Sequence, residues 1–174
     1  MLAKVTIAEG AQVAASAPTE GDRIELVAPF VEAAGRVILQ ECGEVATKGH
    51  LHRVRSPQTS RDVSVLIAIT GGVAGLVIYS MSRDTAIGFA SRMIGEPVTA
   101  FEAMAQSAIA ELANMITGQA GIGLERNGFL SDMSPPVLLM GQGNTIATFN
   151  LTRLVVPLVV SFGEFTIDIA IKEV

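Results

Sequence analysis

The sequence is poor in cysteine and in aromatic residues: it has one cysteine, no tryptophan and one tyrosine. A single cysteine excludes a framework of intrachain disulfides and fits a reducing, cytoplasmic location. We therefore expect Cys42 to be a small buried side chain at the end of a helix rather than a catalytic thiol.

Positive charge and long apolar runs are also scarce. The chain has 12 basic and 17 acidic side chains, a net charge of −5 and no basic run, which argues against a surface for duplex nucleic acid. The apolar stretch 63–79 is short for a membrane span and is split by Gly71-Gly72, so it predicts two buried strands and no membrane segment. Glu9 and Gly10 interrupt the apolar start of the chain, so no signal peptide is expected.

Familiar catalytic and metal-binding motifs are missing as well. The sequence has no G-x-S-x-G elbow, Walker loop, H-E-x-x-H motif or paired cysteines. His50 and His52 would lie on the same side of a strand, but two histidines without a third ligand are weak evidence for zinc. Asp132 and Asp168 are interpreted as solvated turn and strand residues. We therefore expect no metal or cofactor of the protein's own.

The sequence does contain enough apolar material for one domain. Its 174 residues, 49% of them hydrophobic, predict a single globular unit. Residues 1–22 drift into alanine, serine, threonine and glycine and are interpreted as an N-terminal tail or arm, which leaves 23–174 as the domain. The predicted class is α+β, with long helices packed on a mainly antiparallel sheet.

Local signals place the elements of this domain. Helices are predicted over 28–40 with Pro29 in the first turn, from the N-cap Ser82 to Gly95, and from a Thr99–Glu102 capping box to residues 124–126. Strands are predicted over 63–70, 73–81, 137–140, 151–162 and 165–172, with a loop around 56–61. The expected turns are Gly71-Gly72, both at positive φ, and Gly163-Glu164.

A polar stripe marks one face of the third predicted helix. Spacings of four and three residues put Ser107, Glu111 and Asn114 on this face, and Gly118 and Gly121 continue it over the next two turns. The opposite face is apolar and carries Ala105, Ile109, Leu112 and Ile116. Asparagine costs a helix interior roughly half a kcal/mol relative to alanine, and each glycine about 1 kcal/mol. A face that accepts these costs is expected to have a function.

Glu111 and Asn114 have no nucleophile or metal beside them, so a partner would have to bring most of the reacting groups. In phosphoryl transfer, catalysis is mainly positioning and charge stabilisation, and a carboxamide can hold a water in line with phosphorus. A neighbouring carboxylate would anchor a cationic side chain of the partner. The alternative is an ordinary solvated helix face.

The motif Glu111-x-x-Asn114, preceded by Ser107 and followed by Ser134-Pro135-Pro136, resembles the active-site signature of the CheC/CheX/FliY chemotaxis phosphatases, most closely the CheX kind. Further matching stretches are ITGGVAGLVIYSMS (69–82), RMIGEPV (92–98), SAIAELANMITG (107–118) and SPPVLLMG (134–141). The resemblance covers roughly residues 24–172 and says nothing of the N-terminal 1–22.

The resemblance implies a phosphatase that removes phosphate from the aspartyl-phosphate of a CheY-like response regulator. Asn114 would orient the attacking water, and Glu111 would pair with a lysine of the receiver domain, which also holds the Mg²⁺. It further implies a homodimer formed through the sheets, with one site per chain. The single site agrees with the first helix, where Glu32-Ala-Ala-Gly35 repeats the pattern of Glu111-x-x-Asn114 with a glycine in place of the asparagine.

Two questions stay open at this point. Gly118 and Gly121 either let the partner's backbone approach the helix or pack against a neighbouring element of the same chain. The domain itself could be a non-catalytic module that binds a receiver, or a structural component of a motor or signalling assembly.

Overall fold

Three helices cover one face of an antiparallel sheet in the computed structural model, which describes residues 23–55, 57–148 and 151–174. The helices of this described part are α1 (Ile24–Cys42), α2 (Arg83–Ile94) and α3 (Ala103–Arg126). Its strands are β1 (Thr47–Lys48), β2 (His52–Val54), β3 (Gln58–Thr59), β4 (Val63–Gly71), β5 (Val73–Met81), β6 (Ser131–Met133), β7 (Val137–Met140), β8 (Thr145–Ile146), β9 (Arg153–Val160) and β10 (Gly163–Glu173). The α+β class predicted from the sequence is confirmed.

The sheet has the strand order β1-β9-β10-β5-β4-β6, with β2 beside β9 and β7 beside β4. Every one of these pairs is antiparallel. In the middle of β4, β5 and β10 the odd-numbered side chains point toward the helices and belong to the core, and Val65, Tyr79 and Ile167 are buried there. Several even-numbered side chains, such as Ile78 and Ala170, are buried as well, so the sheet is covered on both faces at its centre. None of the helices in the described residues is long and apolar enough to cross a membrane.

The contact between α1 and α3 depends on a proline. Helix α1 begins four residues earlier than predicted, so Pro29 lies in its second turn and cannot donate to the carbonyl of Glu25. The Nδ2 atom of Asn127, which follows α3, donates to that carbonyl oxygen at 2.8 Å. A Cβ atom added to Gly123 of α3 would lie 2.8 Å from Cβ of Pro29, so the two helices touch closely here.

The start of α3 and both predicted turns differ from the sequence expectation. Helix α3 begins at Ala103, after an extended Glu102 whose side chain makes no capping hydrogen bond, so the Thr99–Glu102 capping box does not form. Phe101, which would be helical if the helix began where the box predicts, is instead buried ahead of it. At the β4–β5 turn only Gly71 has a positive φ, of 109°, while the amide of Gly72 donates to Leu130. The last hairpin turns at residues 161–162 instead of Gly163-Glu164, since Val160 pairs with Gly163.

The opposite face of the sheet is also partly covered, by a second small sheet of β3 and β8. The segment predicted as a loop around 56–61 therefore contains a strand. Beneath this cover the side chain of Asp168 is 3% exposed and accepts a hydrogen bond from Arg153 at 2.6 Å. The interpretation of Asp168 as a solvated strand residue is wrong, because its outward-facing side chain is enclosed; Asp132 is exposed as expected.

Candidate functional site

The polar stripe lies on the outer face of α3, as its spacing predicts. The opposite face is buried against α1, α2 and the sheet, and its buried side chains include Ala105, Ile109, Leu112 and Ile116. Ser107 and Glu111 are exposed and Asn114 is half-buried. The Nδ2 atom of Asn114 lies 3.5 Å from Oε2 of Glu111, at the outer limit of a hydrogen bond. The structure thus brings a carboxylate and a carboxamide together on one solvent-facing surface.

A buried hydroxyl pair fixes α3 directly beneath this surface. The Oγ1 atom of Thr117 donates to the carbonyl of Ala113 at 2.8 Å and lies 2.8 Å from the hydroxyl of Tyr79 on β5. Burial raises the pKa of Tyr79, so this hydroxyl keeps its proton at neutral pH. Sequence reasoning missed this anchor; the available signal was that the one tyrosine of the sequence lies in a mostly apolar predicted strand.

The two glycines of the stripe face open space. A Cβ atom added at Gly118 or Gly121 would meet no heavy atom within 4 Å, in contrast to Gly123, which packs on Pro29. Within residues 23–55, 57–148 and 151–174, therefore, no neighbouring element packs where a side chain at Gly118 or Gly121 would lie. Their contact with a partner stays a prediction.

Ser134 lies at the joint between β6 and β7. Its Oγ atom accepts a hydrogen bond from the amide of Ala68 at 2.9 Å, and its own amide donates to the carbonyl of Ala68 at 2.9 Å. Ser134 thereby continues the pairing with β4, after which Pro135-Pro136 leads into β7. The Ser-Pro-Pro motif shapes the sheet edge along α3.

The other candidate residues of the sequence do not form a second site. Within the described residues no three histidine, cysteine, aspartate or glutamate side chains come together as metal ligands would. His50 lies in the loop before β2, where its carbonyl oxygen is 3.2 Å from Nδ1 of His52. Cys42 is half-buried at the end of α1, and burial raises the pKa of its thiol to about 11.

The fold is that of the CheC/CheX/FliY class of domains. CheX from Desulfovibrio desulfuricans matches with a TM-score of 0.77 and 27% identity, over 87% of this chain and 100% of that chain. The CheX–CheY–BeF₃–Mg²⁺ complex from Borrelia burgdorferi matches with a TM-score of 0.73 and 26% identity, again over 87% of this chain and 100% of that chain.

Sequence similarity shows which family within this class of domains the chain belongs to. The family model described as chemotaxis phosphatase CheX matches residues 63–159. The CheY-P phosphatase CheX of Thermotoga maritima is 32% identical over 131 residues, which are 75% of this chain and 81% of the relative. The chain belongs to the CheX family of chemotaxis phosphatases.

Proposed function

We propose that this protein hydrolyses the aspartyl-phosphate of a CheY-like response regulator. The observation that carries the proposal is the side-by-side placement of Glu111 and Asn114 on the exposed face of α3. The family and the relative described as a CheY-P phosphatase support the same reaction. A relative that has been solved together with CheY supports a receiver domain as the partner.

Asn114 has the role of orienting the attacking water. Its carboxamide is neutral and offers both an acceptor oxygen and a donor amide, so it positions water without serving as a general base. The water oxygen forms the new bond to phosphorus, the bond to the aspartyl oxygen breaks, and the receiver's aspartate leaves as a carboxylate. One proton of the water stays on the oxygen that has joined phosphorus and the other passes to a phosphoryl oxygen, so both leave with the product as dihydrogen phosphate. Because the water is already held in line, its loss of translational and rotational entropy occurs before the chemical step and no longer adds to the barrier of that step.

Glu111 has the role of seating the receiver. Its exposed carboxylate, one helical turn from Asn114, can form a charge-assisted hydrogen bond with a lysine of the receiver domain. The Mg²⁺ that offsets the charge of the phosphoryl group belongs to the receiver in this mechanism. The protein acts as a cytoplasmic homodimer that joins through its sheets, with one such site in each chain.

Phosphate release from a phosphorylated receiver tests the mechanism. We expect Asn114→Ala to lower the rate at saturating receiver by about a hundredfold, because a water out of line loses most of its positioning advantage. Glu111→Ala should mainly weaken receiver binding. Glu32→Ala is the matched control, since Glu32 is exposed on α1 in the related sequence Glu32-Ala-Ala-Gly35 and should leave both quantities unchanged.

Two outcomes would contradict the proposal. If Asn114→Ala released phosphate as fast as the unchanged protein, Asn114 would have no role in positioning water. If the unchanged protein bound the receiver without accelerating phosphate release, the domain would be a non-catalytic binding module. Stable co-purification with a motor or signalling assembly, without hydrolysis, would favour a structural component instead.

A further inference from the structure

The surface that carries Glu111 and Asn114 continues into a groove between α3 and β6. The groove has a volume of about 200 Å³. Gly118 and Gly121 form its α3 side, and buried Phe30 and Leu124 form part of its floor. Gly118 follows Asn114 by one turn, which is about 6 Å along the helix axis. The groove therefore begins next to the residues that face the receiver in the proposed mechanism.

Large apolar side chains stand exposed around this groove. Leu130 is 71% exposed, Ile122 is 50% exposed and Met133 is 36% exposed, and all three line it. Single exposed apolar residues are ordinary on protein surfaces, but apolar residues gathered around a cleft mark an interaction site. The groove is smaller than the roughly 300–1,000 Å³ typical of pockets for small molecules, so its size fits a side chain better than a cofactor.

The two glycines keep the groove open. Each one costs the helix stability relative to alanine, and no atom of the residues that the structure describes lies within 4 Å of where their Cβ atoms would be. Gly123, two residues after Gly121, is different because a Cβ atom there would lie 2.8 Å from Cβ of Pro29 in the same chain. Intramolecular packing thus explains Gly123 and leaves Gly118 and Gly121 unexplained.

The polar rim of the groove is acidic. Glu125 and Asp132 line it, and Glu111 lies further along the same surface, so the partner's matching surface should be apolar at its centre and basic around it. A receiver that offers a lysine to Glu111 would already bring its basic side to this face. Continuity with the Glu111–Asn114 surface and this charge pattern identify one occupant for the groove.

We propose that the groove between α3 and β6 takes an apolar side chain of the receiver domain, with Gly118 and Gly121 giving the room for it. This inference rests on the proposed function. The inserted side chain aligns the receiver along α3, so that Asn114 meets the phosphoryl group and Glu111 meets the lysine. The groove determines affinity and choice of receiver, whereas Asn114 determines the rate of the chemical step.

The probe is the receiver that the phosphate-release assay shows to be turned over fastest, loaded with BeF₃⁻ and Mg²⁺. We expect Gly118→Ala and Gly121→Ala to unfold at higher urea concentration but to bind the loaded receiver at least about tenfold more weakly, because the added methyl group projects into the space that the receiver's side chain takes. In turnover, KM should rise with kcat nearly unchanged. Gly35→Ala is the matched control: it also faces open space on a helix, and should gain stability without losing affinity.

A second pair of variants tests the apolar character of the groove. Leu130→Ser and Met133→Ser should weaken binding of the same probe several-fold, because apolar area that the complex buries is lost. Leu39→Ser is their control, since Leu39 is similarly exposed, at 53%, on α1.

The outcomes separate this inference from the proposed function. If the unchanged protein accelerates phosphate release but the glycine variants bind the receiver as tightly as it does, the inference is wrong and the phosphatase stands. If no receiver is bound or turned over, the proposed function fails and the inference fails with it. If the variants alter the oligomeric state in sedimentation but not the affinity for the receiver, the groove is a contact between copies of this chain, which also overturns the inference.

Discussion

Cys42 shows how burial changes the chemistry of a single residue. Its thiol is half-buried at the end of α1, and burial together with the neighbouring Glu41 raises its pKa to about 11. An unperturbed cysteine has a pKa of about 8.5, and the thiolate is the form that reacts. At pH 8 only about one folded molecule in a thousand therefore carries the thiolate. The chain's only cysteine is thus poorly suited to be a nucleophile.

This shift predicts slow alkylation. We expect iodoacetamide at pH 8 to label Cys42 roughly a hundredfold more slowly in the folded protein than in urea, because the thiolate fraction is smaller. The labelling rate of the folded protein should rise about tenfold per pH unit until the pH approaches the raised pKa. Mass spectrometry of timed samples measures both. Equal rates in the folded and unfolded protein would show that Cys42 is an ordinary exposed thiol.

The residues of the site differ in how far the sequence could predict them. The Glu111–Asn114 face depends only on helical periodicity, which is local and can be read from spacing. Tyr79 and Thr117 contact each other from distant positions in the chain, and no local pattern marks such a pair. Asp168 was misjudged for the same reason, because the elements that enclose it are remote in sequence.

At the scale of elements, the packing of α1 on α3 controls the placement of the site helix. Pro29 leaves the carbonyl of Glu25 without its helical donor, and Asn127 supplies the donor from beyond α3. Gly123 lets the ring of Pro29 approach the α3 backbone. The two contacts fix the last turns of α3 against α1, and these turns lie next to the groove that begins at Gly118.

Alanine substitutions along α3 should therefore have opposite effects on stability. We expect Gly123→Ala to destabilise the fold by about 1–3 kcal/mol, because a Cβ atom 2.8 Å from Cβ of Pro29 forces the helices apart. Gly118→Ala should instead stabilise it by about 0.5–1 kcal/mol, since the added methyl group meets open space. Urea unfolding of both variants gives the two free energies. A stabilised Gly123→Ala variant would mean that α1 and α3 are not held at this distance.

Elements with strong local signals were predicted well, and short ones were not. Helix α2 begins after Ser82, whose hydroxyl accepts from the amide of Thr85, and ends at Gly95 with a φ of 83°, as the cap residues indicate. Strands β3 and β8 have two residues each, and each is a strand only because it pairs with the other. Such short strands carry no periodicity, so the sequence offered no basis for predicting the cover over the outer face.

At the scale of the whole molecule, the outer face of the sheet holds a buried polar network that joins the two sheets. Arg153 on β9 donates to Asp168 on β10 at 2.6 Å and to Oε1 of Gln58 on β3 at 2.9 Å. Gln58 in turn donates to the hydroxyl of Ser80, which lies 3.1 Å from that of Ser64. Since the network crosses from one sheet to the other, it fixes how the β3–β8 pair lies on the domain.

Removing only the cation of this network should lower the free energy of unfolding much more than replacing both charged residues with apolar ones. Arg153→Met leaves the carboxylate of Asp168 buried without its cation, and we expect a loss of about 3–5 kcal/mol in the free energy of unfolding at pH 7. The double variant Arg153→Met/Asp168→Val removes both charges and should recover most of that loss. Urea unfolding of the two variants and the unchanged protein measures the difference.

The pH dependence of the single variant distinguishes a stranded charge from lost packing. Burial already raises the pKa of Asp168, and Arg153 opposes the shift, so removing Arg153 should raise this pKa further. A carboxyl group whose pKa is higher in the folded than in the unfolded state does not lower the free energy of unfolding at a pH below its unfolded-state pKa of about 4. As the pH rises above that value, the free energy of unfolding falls. The deficit of Arg153→Met should therefore shrink as the pH falls toward 4, whereas a deficit from packing alone would stay constant.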